Sequence, residues 1–225
     1  MSRAGRRRTR RPRIAPAAAA VALLATLGLA ACGSPDPLAS FTAPQRTQLD
    51  AAWTAVINAT DTANLTELDR TSRAKTLYAA CKPLDKSNAL LAALADACRP
   101  LYVSKKLDLV IPTRCATQSA TCERALDRNA TATDDVSKAL ANLDAQAKRI
   151  VTEPRCLAEL TTGPVRTAAW DKMSAAYNVY SLGAERKDPE IFALGKRQVA
   201  EAAQLTADTR TAAQRLAAFR EGCGL

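Results

Sequence analysis

The stretch TDDVSKALANLDAQAKRI, residues 133–150, carries the clearest helical pattern in the chain. Its apolar residues recur every three or four positions and are Val136, Leu140, Leu143, Ala147 and Ile150. That spacing places them on one face of an α-helix. Thr133 or Asp134 is the predicted N-cap, because short oxygen-bearing side chains accept hydrogen bonds from the first free backbone N–H groups. We therefore predict an amphipathic helix that buries one face.

Three more helices are predicted upstream from the same spacing. Their apolar sets are Leu49, Trp53, Val56 and Thr60; Ala74, Leu77, Cys81 and Leu84; and Leu91, Leu94, Cys98 and Leu101. Thr42 is the predicted cap of the first helix. Pro83 and Pro100 are predicted to end the second and third, because proline lacks the N–H that a helix interior needs. Residues 101–113 fit either a short strand or a helix.

Downstream, two further helical patterns follow the breaks at Gly163-Pro164 and Lys187-Asp188-Pro189. One carries Trp170, Met173, Tyr177 and Tyr180; the other, predicted to run from about residue 189 to 221, carries Leu205, Thr209, Ala212, Leu216, Phe219 and Cys223. The chain is rich in alanine and has only 8 glycines, which favours helix. The predicted fold is all-α: a disulfide-stapled helical bundle of about five to seven helices.

The N-terminal residues have the features of an export signal. Seven arginines lie between residues 3 and 13, and residues 14–31 carry no charge. A basic stretch followed by an apolar stretch is typical of a signal peptide, and a permanent transmembrane anchor is the alternative. Arg10-Arg11 leaves open whether export is by the general or the twin-arginine route.

Leu29-Ala30-Ala31-Cys32 follows the apolar stretch and resembles the lipobox of bacterial lipoproteins. The resemblance implies that Cys32 receives a lipid and becomes the new N-terminus. It predicts residues 1–31 as signal peptide, 32–42 as lipidated tether and 43–225 as one helical domain, anchored on the outer face of the cell membrane. The alanine and arginine bias is typical of a GC-rich genome, such as that of an actinobacterium. No family is recognised for the domain itself.

The net charge of +10 comes mostly from the predicted signal peptide. Seven of the 32 basic residues and none of the 22 acidic residues lie in residues 1–31, which leaves 25 basic and 22 acidic residues beyond it. A nucleic-acid binder is expected to keep a dense basic face in its folded domain. We therefore expect no nucleic-acid partner. The basic residues of the last predicted helix, from Lys196 to Arg220, are expected to be an ordinary solvated face.

Seven cysteines fit an exported lipoprotein. If Cys32 carries lipid, six remain, and an even number in an exported domain predicts up to three disulfides. Six cysteines allow 15 pairings. The favoured pairing is Cys156 with Cys223, followed by Cys115 with Cys122, which leaves Cys81 with Cys98.

No catalytic or metal-binding set is found in the sequence. There is no histidine, and the Cys115 to Cys122 spacing is wider than a zinc motif uses. We therefore predict no catalytic residue, no metal and no cofactor. Aromatic residues at helical spacing usually belong to the core, but Trp53, Trp170, Tyr177 and Tyr180 are a possible ligand groove.

These patterns favour a lipid-anchored envelope protein that binds a protein or a small ligand and is not an enzyme. A cell-wall hydrolase that uses two carboxylates is the first alternative, and it requires a pair of acids about 5–10 Å apart in a cleft. A structural spacer is the second.

Overall fold

A computed structural model describes residues 36–61, 66–161, 163–206 and 210–225. The predicted signal peptide, Cys32 and residues 33–35 of the predicted tether lie outside this part. The described residues contain eight helices and no strand, so the all-α prediction is confirmed. The helices are α1 (Ala43–Thr60), α2 (Glu67–Cys81), α3 (Ala89–Arg114), α4 (Ala120–Ile150), α5 (Pro154–Leu160), α6 (Gly163–Glu185), α7 (Pro189–Thr206) and α8 (Ala212–Cys223). None of the helices searched in this part is long and apolar enough to cross a membrane.

The folded domain begins before residue 43. Leu38 and Phe41, which the sequence assigned to an extended tether, are buried in the core. Arg46 holds this segment by donating a hydrogen bond to the Leu38 carbonyl at 2.8 Å and by contacting the Asp36 carboxylate. The part of the predicted tether that lies before this packed segment is therefore short.

Several helix ends follow from local sequence. Thr42 caps α1 through a capping box with Gln45, and Pro44 lies in the first turn. The predicted cap is thus confirmed. Helix α2 ends at Cys81, two residues before Pro83, as the proline predicts.

The prediction that Pro100 ends the third helix is wrong. Helix α3 continues through both Pro100 and Pro112 to Arg114. An internal proline costs a helix about 3 kcal/mol. The buried residues Leu101, Leu107 and Ile111 extend the apolar face of α3 well beyond Pro100, and their burial offsets that cost. The ambiguous stretch 101–113 is therefore helical.

Helix α4 begins earlier than its clearest pattern. Its N-cap is Ser119, not Thr133 or Asp134. Thr133 is buried inside the helix, where its hydroxyl donates to the Asn129 and Ala130 carbonyls, both at 2.9 Å. The buried face continues upstream through Leu126 and otherwise through small or polar residues such as Ala125 and Asn129, which weaken the apolar pattern.

The predicted single helix from 189 to 221 is two helices in the described residues. Helix α7 ends at Thr206, and α8 begins after Thr211, which forms a capping box with Gln214. Thr209 of the predicted seam lies outside the described residues. Leu205 is exposed, whereas Phe219 and Cys223 are fully buried. This split and the short α5 explain why eight helices are present where about five to seven were expected.

All three predicted disulfide pairings are present. Cys81 pairs with Cys98, Cys115 with Cys122, and Cys156 with Cys223. The first joins α2 to α3, the second links the end of α3 to the start of α4, and the third joins α5 to α8.

The longer helices pack in a row. Helix α3 packs on α4, α4 on α6, and α6 on α7, while α1 and α2 pack on α3. Helices α6 and α7 approach most closely at two glycines. A Cβ at Gly183 would lie 2.3 Å from the Phe192 nitrogen, and one at Gly195 would lie 2.3 Å from the Tyr180 Cα. Only glycine permits that approach.

Candidate functional site

A cleft of about 450 Å³ lies between helices α1–α3 on one side and α6–α7 on the other. Its volume falls within the range of about 300–1,000 Å³ typical of small-molecule pockets. We name it the basic cleft. It is defined by the charged residues Arg70, Arg73, Lys105, Asp108 and Lys196 and by the apolar or aromatic residues Ile111, Met173, Tyr177, Tyr180 and Val199.

The order of the helices accounts for the basic cleft. Helix α4 lies between α3 and α6, and among the described residues no Cα of α3 comes within 8 Å of a Cα of α6 or α7. Helices α2 and α7 likewise have no such backbone contact in this part of the chain. Side chains from the two walls therefore face each other across a space that no backbone fills.

One partly buried polar contact crosses this space. The Tyr177 hydroxyl on α6 donates to Asp108 Oδ1 on α3 at 2.7 Å. Asn129 Nδ2 on α4 donates to the same oxygen at 2.9 Å. Burial first, and then the negative charge of Asp108, raise the pKa of the Tyr177 hydroxyl far above its ordinary value. The phenol therefore stays protonated and serves as a donor.

Tyr180 lies one turn further along α6. Its ring packs against Phe192 of α7, with the ring centroids 4.6 Å apart. Burial raises the pKa of the Tyr180 hydroxyl above its ordinary value. Both tyrosines are thus neutral at physiological pH, and they give this wall an amphipathic surface of ring carbons and hydroxyl groups.

Two of the four cations in the basic cleft are engaged by the protein itself. Arg73 Nη1 donates to the carbonyls of Asn58 and Asp61, both at 2.9 Å, at the C-terminal end of α1. Helix C-termini carry partial negative charge, so this position suits a guanidinium group. Lys105 Nζ lies 3.7 Å from Asp108 Oδ2 and 5.7 Å from the centroid of the Trp170 ring.

Arg70 and Lys196 are the other two cations. Both are exposed, and neither has an ion-pair partner among the described residues. Arg70 lies on α2 and Lys196 on α7, so they belong to opposite walls of the basic cleft. With one carboxylate against four cations in its lining, the cleft has a positive potential that favours an anion.

The four aromatic residues proposed as a groove do not share one cavity. Trp53 and Trp170 border a small internal cavity of about 30 Å³, together with Leu94, Leu101 and Leu140. Tyr177 and Tyr180 line the basic cleft instead. All four side chains are buried, so each is also part of the core. Lys105 borders both cavities.

The basic residues near the C-terminus do not form one face. Arg215 is buried and donates to the Thr60 hydroxyl at 3.2 Å. Arg220 pairs with Asp50 at 2.8 Å, and Arg210 pairs with Glu159 at 2.7 Å. Among the basic residues from Lys196 to Arg220, Lys196 alone is in the lining described for the basic cleft.

Sequence reasoning missed the charged residues of the basic cleft other than Lys196. Arg70, Arg73, Lys105 and Asp108 stand on the polar faces of α2 and α3, where charged residues usually only meet solvent. Tyr177 and Tyr180 were predicted as candidate ligand-binding residues, because they belong to an aromatic-rich stretch of α6. No group of three or more Cys, Asp or Glu side chains in the described residues is placed to hold a metal.

A second, larger depression of about 800 Å³ lies between α3 and α4. Its charged lining is mixed, with four basic residues, Lys86, Arg99, Arg128 and Lys138, and two acidic residues, Asp96 and Asp135. None of the aromatic residues in the described part lines it. Both sites are mostly basic, but the basic cleft alone of these two has an aromatic wall, and it is therefore the better candidate for a ligand site.

No family model, curated protein or solved structure matches this chain.

Proposed function

We propose that the chain is a lipid-anchored protein on the outer face of the cell membrane that binds a small ligand in the basic cleft. The observation that carries the ligand-binding part is the cleft itself: about 450 Å³ in volume, walled by tyrosines on one side and lined by four cations and one carboxylate. The anchoring part depends on the lipobox-like residues that end at Cys32.

The cysteines support export of the domain. Six cysteines form three disulfides, and such bonds persist in oxidising compartments. Cys32 is the one cysteine left over, which fits a separate role as a lipid carrier. Only residues 33–35 lie between Cys32 and the packed segment at 36–41, and each extends at most about 3.6 Å. A lipid on Cys32 would thus hold the domain near the bilayer.

The lining of the basic cleft favours binding over hydrolysis. A glycoside hydrolase needs two carboxylates about 5–10 Å apart. In the described lining Asp108 is the single carboxylate, and it is hydrogen-bonded to Tyr177 and Asn129. A hydrolytic role would therefore require groups that this cleft does not bring together.

Anchoring is tested in intact cells of a lipoprotein-processing bacterium. The full chain should label with a clickable fatty acid and lose residues 1–31, and Cys32→Ser should abolish both. Cys32 has no role in the three disulfides, so this variant should keep the fold. Equal labelling of the two forms would refute the anchor.

Ligand binding is tested with two fluorescent probes, Nile red and 1-anilinonaphthalene-8-sulfonate. Ala200→Phe places a ring in the basic cleft, because Ala200 lines it from α7. Ala193→Phe is the matched control, since Ala193 is exposed on the same helix outside the described lining. We expect Ala200→Phe alone to remove binding of at least one probe. Unchanged binding of both would refute the cleft as a ligand site.

A further inference from the structure

The two exposed cations that face the basic cleft from opposite walls indicate the chemical class of its ligand. Arg70 on α2 and Lys196 on α7 belong to helices whose backbones do not meet. Like charges that border one cavity repel each other, and an anion between them reverses that repulsion. Arg73 and Lys105 already have protein partners, so Arg70 and Lys196 are the cations that a ligand can use fully.

The uncharged part of the lining is largely apolar. Ile111, Met173, Tyr177 and Tyr180 belong to this lining, and their side chains are mostly carbon. A ligand that fills the cleft must therefore present apolar atoms to these side chains and an anionic group to Arg70 and Lys196. A free inorganic anion can pair with Arg70 and Lys196 but makes no contact with the apolar side chains.

Resting on the proposed function, we infer that the basic cleft takes an amphipathic anion: a small molecule with one apolar chain and one phosphate or carboxylate group. The headgroup lies between Arg70 and Lys196, and the chain lies along Met173, Tyr177 and Tyr180. Arg70 offers paired N–H donors and Lys196 a point charge, which together suit an oxyanion.

The test is a calorimetric titration series in which chain and charge are varied separately. The probes are dodecyl phosphate, dodecanoate, dodecyl maltoside, dodecyltrimethylammonium and inorganic phosphate, each below its micelle concentration. We expect the two dodecyl anions to bind at least about tenfold more tightly than the neutral, cationic or chain-free probes. Higher salt should weaken only the anions.

Charge-neutralising variants provide the second readout. Arg70→Gln and Lys196→Gln should each weaken the binding of dodecyl phosphate by about tenfold. Lys75→Gln on α2 and Arg197→Gln on α7 are matched controls, because they remove the same charge from exposed sites outside the described lining. The control variants should bind as the parent does.

The outcomes separate this inference from the proposed function. If dodecyl maltoside binds as well as dodecyl phosphate, and Ala200→Phe removes both, the cleft binds ligands but the anion preference is refuted. If inorganic phosphate matches dodecyl phosphate, the apolar half of the inference is refuted. If Ala200→Phe changes no titration, both the inference and the cleft as a ligand site are refuted.

Discussion

Replacing Gly195 by alanine tests one of the two glycine contacts that bring α6 and α7 together. A Cβ at this position would lie 2.3 Å from the Tyr180 Cα and 2.4 Å from its nitrogen. Ordinary van der Waals contact begins near 3.4 Å, so α7 must retreat from α6 by about 1 Å. The obstructing atoms are backbone, and they cannot rotate away as a side chain end would.

The expected cost follows from two opposing effects. Overpacking a well-packed contact costs about 3 kcal/mol, and alanine gains about 1 kcal/mol over glycine in a helix. The net loss in the free energy of unfolding is therefore about 2 kcal/mol. With an m-value of about 2 kcal/mol/M for urea, the midpoint of unfolding should fall by about 1 M.

Urea unfolding followed by circular dichroism at 222 nm measures this change. Gly222→Ala is the matched control, because it is the same substitution at another buried helical glycine, but its Cβ would lie 3.1 Å from the nearest atom. The nearest atoms are again backbone, the Arg155 carbonyl carbon and the Cys156 nitrogen, but a shift of about 0.3 Å restores ordinary contact, so the control should lose much less stability than Gly195→Ala. If Gly195→Ala has the parent's midpoint or a higher one, the close packing of α6 on α7 is refuted.

Two further changes probe the disulfides and the tyrosine of the basic cleft. Replacing Cys156 and Cys223 by alanine should lower the free energy of unfolding by about 4 kcal/mol, and replacing Cys115 and Cys122 should lower it by about 2.5 kcal/mol. The first disulfide closes the longer loop, with a sequence separation of 67 residues against 7. Equal unfolding midpoints of the two variants in urea would contradict this order. Raising the pH above about 10 should lower the free energy of unfolding by up to about 1.4 kcal/mol per pH unit through Tyr177. In that range the unfolded state loses the phenol proton, whereas the folded state, in which the pKa of Tyr177 is raised, keeps it. Tyr177→Phe should flatten this slope, and an identical slope in the variant would contradict it.

The pattern of apolar residues predicted the helices better than their ends. Periodicity identified the core of α4, yet its start at Ser119 was missed because the upstream face uses small and polar residues, such as Asn129 and Thr133. The prediction that Pro100 ends α3 is wrong because the proline costs only a few kcal/mol locally. Burial of the apolar face that continues past it contributes more free energy than that cost. Tertiary packing decided both cases.

The disulfides were predictable, but most of the basic cleft was not. Loop lengths and helix ends limit which cysteines can meet, and all three favoured pairings are present. The basic cleft instead draws its lining from five helices that span residues 59–203. Nothing in a local pattern relates Arg70 to Lys196, because their proximity depends on how α2 and α7 are placed by the helices between them.

Helix α7 packs on α6 and on no other helix of the described part. It therefore contributes one wall of the basic cleft while a single helix of this part supports its backbone. Because none of the three disulfides involves α7, we expect α7 to open locally at a lower free energy than the disulfide-linked helices α2–α4. Hydrogen exchange should accordingly be faster along α7 than along α4, and an occupant that touches both walls should slow it.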